Sequence, residues 1–154
     1  MRRALDLARH AAAIEEIPVG AVVYETATGQ LLGEGWNLRH TQRDPSAHAE
    51  LIAIRKAATH VGDWRLNQCT LVVTLEPCAM CAGLIVNARV GRLVYGCSDP
   101  KAGACESLFR LTTDPRLNHR VEPIGGVLAE EAAELLRSFF RERRRGREGS
   151  ETGK

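Results

Sequence analysis

Two cysteines separated by two residues follow a proline in the segment EPCAMC, residues 76–81. A helix is predicted to begin here, which places Cys78 and Cys81 at i and i+3 on one face of its first turn. Pro77 suits that turn because it has no N–H group to leave unpaired. The positive end of the helix dipole lowers the pKa of thiols and favours thiolates. Thiolates at this spacing are good zinc ligands.

A Cys-x-x-Cys pair by itself also fits a redox couple, two buried thiols or half of a structural zinc site. His48 and Glu50 favour a different interpretation, because they stand at the start of another predicted helix and can both reach a group beyond its end. We therefore predict that His48, Cys78 and Cys81 bind one Zn²⁺. Three protein ligands leave a fourth position for water, as in catalytic zinc sites. Glu50 would carry protons beside that water.

A structural zinc site would need a fourth protein ligand. Cys69 precedes the third predicted strand, at the wrong end of the sheet, whereas Cys97 and Cys105 remain geometrically possible ligands. Neither of these two belongs to a close pair of ligands, so we expect them to pack in the core or to form a pocket wall.

The pattern of apolar residues predicts the elements that must position these side chains. Helices are expected at residues 2–16, 47–58, 78–88, 107–111 and from Leu128 into the terminal arginines, and strands at residues 19–24, 31–36, 71–75, 92–95 and 121–124. Strands separated by helices pair in parallel, and the opening hairpin adds an antiparallel edge. We predict an α/β fold of three α/β/α layers, with a mixed five-stranded sheet flanked by helices. Residues 1–146 would form one domain and residues 147–154 a disordered tail.

The reactive residues gather where such a sheet places its pocket. Open α/β sheets bind ligands beyond the carboxyl ends of their strands. Asn37 follows the second predicted strand, the segment with Cys78 follows the third, and Asp99 follows the fourth. We expect these side chains to face one cavity.

The basic residues of the chain are mostly arginines. Six of them lie between Arg137 and Arg147, although the net charge is only +2. Such a run suits phosphates and is typical of nucleic-acid contacts, but a solvated helix end or an arginine-rich codon usage would give the same pattern. The sequence has no apolar run as long as a membrane span. Five cysteines without a secretory signal indicate a reducing compartment, and we expect the cytoplasm.

A histidine, a glutamate two residues later and a Pro-Cys-x-x-Cys segment together form the zinc deaminase signature. The chain resembles bacterial tRNA-specific adenosine deaminases, within the cytidine and deoxycytidylate deaminase superfamily, from the first helix to the arginine run. The resemblance rests on the segments PVGA (18–21), GEGWN (33–37), DPSAHAE (44–50), TLEPCAMCAG (74–83), NHRVE (118–122) and LLRSFFR (135–141).

This resemblance implies a cytidine-deaminase-like fold and a homodimer with one Zn²⁺ per subunit, no nucleotide cofactor and no membrane partner. The implied reaction converts the wobble adenosine of a tRNA anticodon loop to inosine. By matching motif positions, Asn37 and Val19 would line the base pocket and Asp99 would lie near the ribose of the target nucleotide. Lys101 and the terminal arginines would meet anticodon-loop phosphates, and Phe140 would lie against an adjoining nucleotide.

The chain departs from the family pattern at Ser98, Pro100 and Glu106, which stand on the nucleic-acid side of the implied site. Three other functions stay open. A deaminase of free guanine, cytosine or a nucleoside would share the zinc site. A zinc-stabilised RNA-binding module would instead hold its metal with four protein ligands. An oxidoreductase would form and reduce a Cys78–Cys81 disulfide.

Overall fold

The computed structural model describes residues 1–151, with side chains through residue 146. The disorder predicted for residues 147–154 concerns residues whose side chains all lie outside the described part, and it stays a prediction. Within the described residues, no helix has the length and apolar character needed to cross a membrane. The elements are α1 (Arg2–Ala13), β1 (Gly20–Glu25), β2 (Leu31–Trp36), α2 (Arg39–Gln42), α3 (Ala49–Val61), β3 (Cys69–Leu75), α4 (Ala79–Asn87), β4 (Arg92–Cys97), a 3-10 turn (Leu111–Thr113), β5 (Pro123–Ile124) and α5 (Ala129–Glu151).

The five strands form one mixed sheet in the order β2-β1-β3-β4-β5. Strand β1 runs antiparallel to both β2 and β3, and β3, β4 and β5 are parallel. The carboxyl ends of β2, β3 and β4 therefore meet at one edge, and the first residue of β1 joins them there. This explains why Val19, which precedes a strand, can reach the same cavity as residues that follow strands.

Helices cover both faces of the sheet. Alternate strand residues such as Ala21 and Val73 pack on one face against α3 and α4. Val22 and Val72, which point the other way, pack against α1, and α5 completes that layer beside α1. The predicted three-layer architecture is confirmed.

Two glycines in β2 let α3 lie unusually close to the sheet. A Cβ atom on Gly33 would stand 2.4 Å from the Ala53 carbonyl oxygen, and one on Gly35 would stand 2.5 Å from the Ala49 carbonyl oxygen. Neither position therefore accepts a side chain unless α3 moves. The close packing fixes the first turn of α3, where His48 and Glu50 stand, against the end of β2.

The structure corrects two predicted helices. Helix α1 ends at Ala13, because Glu15 adopts a left-handed backbone (φ 64°) and the Glu16 N–H donates to the Ala11 carbonyl at 2.9 Å. The helix predicted at residues 107–111 does not form. The N–H group of Leu111, which would close the first turn on the Ser107 carbonyl, donates instead to the Ala104 carbonyl at 3.0 Å, and the 3-10 turn begins only at Leu111.

Candidate active site

The starts of two helices bring together the three predicted metal ligands, His48, Cys78 and Cys81. His48 is the N-cap residue of α3 and Cys78 is the N-cap residue of α4, both with extended backbone (ψ 150° and 175°). Neither side chain caps its own helix, which leaves the imidazole and the thiol free. The Nδ1 atom of His48 lies 3.6 Å from the Sγ atom of Cys78 and 3.6 Å from that of Cys81.

This donor set fits a zinc ion. Tetrahedral bonds of about 2.3 Å to sulfur and 2.0–2.1 Å to nitrogen separate the two ligand atoms by about 3.6 Å, the spacing found here. Within the described part of the chain, no fourth His, Cys, Asp or Glu joins the group. Cys97 donates its S–H group to the Thr74 carbonyl (3.7 Å), and burial raises the pKa of Cys105 to about 12. Both behave as buried thiols, and the three-ligand group keeps an open side.

The protons of the cluster are shared between its sulfur and nitrogen atoms. A hydrogen bond from Cys81, together with the His48 bond, lowers the pKa of Cys78 to about 3 despite burial. The same bond to Cys78, reinforced by burial, raises the pKa of Cys81, and the hydrogen bond with Cys78 raises the pKa of His48. Two adjacent thiolates require a compensating cation, so a divalent metal can replace the shared protons.

Glu50 lies at the second position of α3 and is buried. Burial is the main cause that raises its pKa, to about 7, although its backbone hydrogen bond and the His48 charge oppose the shift. A carboxyl group with that pKa can both accept and release a proton near neutral pH, which is the requirement for general acid–base catalysis.

A cavity of about 200 Å³ opens beside this cluster. It is smaller than the roughly 300–1,000 Å³ of drug-sized sites, so it suits one flat ring system. Cys81 is fully buried and does not line this cavity. Six residues predicted from sequence meet in its wall: Val19, Asn37, His48, Glu50, Cys78 and Asp99.

Other residues of the cavity wall were not predicted. Ile17, Arg39, Leu75, Glu76 and Ala102 also line it. Ile17 and Glu76 each precede a proline in a segment that resembles the family, and that position was the only available signal. Arg39 follows Asn37 closely, but surface arginines are too common to indicate a site.

Asn37 is held by a buried carboxylate. Its Nδ2 amide donates to Glu16 at 3.3 Å, and the Thr41 N–H donates to the other oxygen of Glu16 at 2.6 Å. Glu16 is fully buried. Because an ionised carboxylate only accepts hydrogen bonds, it fixes the Asn37 amide with its nitrogen toward Glu16. The sequence placed Glu16 in the first helix and gave no sign of this contact.

Asp99 has two structural roles at the cavity rim. It lines the cavity, and its Oδ1 atom accepts the N–H groups of Lys101 (3.0 Å) and Ala102 (3.2 Å), which closes the turn after β4. Ser98 and Pro100 are exposed on either side. Glu106 points away from the cavity, since its carboxylate accepts the Tyr95 hydroxyl.

Lys101 and Phe140 do not line the catalytic cavity. They share a separate surface groove of about 490 Å³ with arginines of α5. Phe140 also lines a second groove, of about 300 Å³, together with His40, Arg143 and Ile17. Ile17 belongs to this groove and to the catalytic cavity, so the basic surface of α5 adjoins the cavity opening.

The fold and the His-Cys-Cys site together define a deaminase, and a model of the MafB19-like deaminases matches residues 1–144. A tRNA-specific adenosine deaminase of Haemophilus influenzae is 52% identical over 144 residues, which cover 94% of this chain and 83% of that protein. One from Bacillus subtilis is 43% identical over 145 residues, covering 94% and 89%. The chain belongs to the family of tRNA-specific adenosine deaminases.

Solved structures agree with this assignment. A structure from studies of A-to-I editing by tRNA:A34 deaminases at the wobble position superposes with a TM-score of 0.83 at 41% identity, covering 88% of this chain and 97% of that one. A guanine deaminase from Nitrosomonas europaea superposes with a TM-score of 0.75 at 27% identity, covering 90% and 81%. The resemblance and the fold class stated from the sequence are thus confirmed.

Proposed function

We propose that this protein deaminates the wobble adenosine of a tRNA anticodon loop to inosine and releases ammonia. One observation carries the proposal: a three-ligand group spaced for zinc faces Glu50 in the wall of a cavity that suits a single base. His48, Cys78 and Cys81 would hold one Zn²⁺ per subunit. We place the reaction in the cytoplasm, in keeping with five cysteines that are all free thiols.

Bound zinc would lower the pKa of water to about 7 and supply a nucleophile at neutral pH. Glu50 would take a proton from the attacking water while the oxygen of that water adds to C6 of adenine. The carboxyl group would then deliver that proton to N1. A second transfer through Glu50 would protonate the departing amine, so that water and adenosine give inosine and ammonia. The Glu50 pKa of about 7 suits both directions of transfer.

The cavity wall supports a base-binding role for Val19 and Asn37 and a ribose-side role for Asp99, since all three line it. The target base must leave its neighbours to enter, which is less costly in a single-stranded loop than in a duplex. Lys101, Phe140 and the arginines of α5 would contact the flanking nucleotides. Much of the affinity would then come from phosphate contacts and fall steeply with salt.

A second subunit is part of the proposal. Met80, at the start of α4, and Leu108 and Phe109, in the loop before the 3-10 turn, are exposed apolar side chains. Exposed apolar side chains that form one contiguous patch often mark a protein–protein contact. They lie near the Cys78–Gly103 bridge that joins α4 to this loop, so a homodimer contact here would lie close to the catalytic cavity.

A deaminase of free bases is the second candidate, favoured by the likeness to the Nitrosomonas europaea guanine deaminase. Purified protein should be incubated with an anticodon stem-loop that carries A at the wobble position and, separately, with free adenine, guanine and cytosine. We expect inosine in the digested RNA, detected by mass spectrometry, and no ammonia from the bases. Ammonia from guanine with unchanged RNA would assign the protein to the second candidate.

The role of Glu50 is tested by Glu50→Ala. We expect full zinc content, measured by elemental mass spectrometry, and a loss of about 10²–10⁴ in turnover, the usual contribution of a general acid–base group. Glu122→Ala is the matched control, because Glu122 is exposed beside β5, at the other end of the sheet. Substantial turnover in Glu50→Ala would contradict the mechanism.

A further inference from the structure

One carboxylate outside the proposed chemistry organises the rim of the cavity. Glu76, only 2% exposed, accepts four backbone N–H groups. Its Oε1 atom accepts those of Cys105 (3.2 Å), Glu106 (2.8 Å) and Ser107 (2.9 Å). Its Oε2 atom accepts the N–H of Asp99 at 3.0 Å and the hydroxyl of Ser107.

No lysine or arginine pairs with Glu76 among the ion pairs of the described residues. A buried carboxylate without hydrogen bonds is very unfavourable, so these donors stabilise its charge. The loop of residues 99–107 is therefore folded around a negative charge.

The loop backbone approaches that charge very closely. A Cβ atom on Gly103 would stand 2.4 Å from the Glu76 carboxyl group, so only glycine fits there. Glu76 is itself fixed, because its own N–H donates to the Cys97 carbonyl at 2.9 Å and ties the end of β3 to the end of β4. The carboxylate thus connects the strand that leads into Cys78 with the turn that carries Asp99.

We propose that Glu76 is a positioning residue, which holds Asp99 and the loop of residues 99–107 at the ribose side of the catalytic cavity. This inference rests on the proposed function, since it concerns the substrate side of the same site. Glu76 does not touch the reacting atoms in this assignment. It acts through the backbone of Asp99, whose side chain closes the turn and faces the cavity.

The two oxygens of Glu76 allow a selective test. In Glu76→Gln, the amide oxygen can keep the three N–H bonds of the Oε1 position. The amide nitrogen then takes the Oε2 position, where it faces the Asp99 N–H with a donor and removes that bond. The Ser107 hydroxyl can turn and accept instead. The substitution should therefore release Asp99 while the rest of the loop stays in place.

The experiment measures kcat/KM on the anticodon stem-loop for the wild type, Glu76→Gln, Asp99→Asn and the double variant. Glu76→Gln should keep its zinc and lose about ten- to hundredfold in kcat/KM, the range for a lost hydrogen bond to a charged group. In the Asp99→Asn background the same substitution should cost less than about threefold, because residues that act as a unit are not additive.

Glu122→Gln is the matched control: it makes the same chemical change at an exposed carboxylate beside β5, at the other end of the sheet. Its kcat/KM should stay within about twofold of the wild type, as for most surface substitutions. Wild-type kcat/KM in Glu76→Gln, an equal loss in both backgrounds, or loss of zinc would each overturn the inference. Failure of the wild type to form inosine would instead overturn the proposed function.

Discussion

Replacing Gly35 with alanine should weaken metal binding, although Gly35 is not a ligand. The new Cβ atom would stand 2.5 Å from the Ala49 carbonyl oxygen and 2.8 Å from the Ile52 Cβ atom. The first distance is about 0.9 Å shorter than the 3.4 Å at which ordinary contact begins. Both neighbours belong to α3, and Ala49 directly follows His48. The first turn of α3 must therefore move away from β2 and take the His48 imidazole with it.

The size of this movement can be compared with what the metal tolerates. Ligand distances in zinc sites vary by about ±0.2 Å, so even a third of the 0.9 Å shortfall would disturb the arrangement around His48. Misplaced ligand support typically lowers metal affinity about 10- to 100-fold, and we expect this loss for Gly35→Ala. Overpacking should also lower the free energy of unfolding by about 1–3 kcal/mol. In a protein of this size, each kcal/mol lost lowers Tm by about 2–4 °C.

Zinc affinity is measured by competition with a chromophoric chelator, and stability by thermal unfolding of the zinc-free and zinc-loaded protein. Gly83→Ala in α4 is the matched control, because no atom outside its chain neighbours and its own helix backbone lies within 4 Å of the new Cβ. It should keep its zinc affinity and gain up to about 1 kcal/mol from helix propensity. Equal zinc affinities for the two alanine variants would refute the argument that the glycines of β2 position His48.

Two further predictions concern the cluster and the base pocket. In zinc-free protein at pH 7, iodoacetamide should modify Cys78 first, because its pKa is about 3 and it is only half-buried. Cys105 should react slowly, because it is buried and its pKa is about 12. Peptide mass spectrometry before and after zinc addition measures the extent of modification at each cysteine. Glu16→Gln should lower kcat/KM on the stem-loop about tenfold or more with zinc retained. An amide nitrogen at the Asn37 contact would remove the hydrogen bond that holds Asn37, the side chain proposed to bind the base.

Each of these predictions has a result that would contradict it. If zinc does not protect Cys78, or if Cys105 reacts equally fast, the cluster does not bind metal as described. If Glu16→Gln keeps the wild-type kcat/KM, the orientation of Asn37 does not matter to the reaction. Exposed Glu15 is the matched control for the second experiment, because Glu15→Gln makes the same change one residue away.

Local patterns predicted most of the helices and strands because each depends on the spacing of apolar residues within one segment. The pairing of β1 could be predicted only in part. The predicted antiparallel hairpin of β1 and β2 does lie at the edge of the sheet, but the sequence did not show that β1 is also antiparallel to β3. The helix predicted at residues 107–111 was wrong, because the Leu111 N–H group donates to the Ala104 carbonyl and not to that of Ser107.

The residues that could bind the metal were recognisable from sequence, since imidazole, thiol and carboxyl groups have distinctive chemistry and stand at helix starts. The sheet brings these residues together in space, and it places Asn37 and Asp99 around the same cavity. Only the tertiary structure gave Glu16 and Glu76 their contacts. Most of their partners are backbone N–H groups, which every residue except proline carries. A sequence shows which side chains can accept such bonds, but folding alone decides which backbone groups reach them.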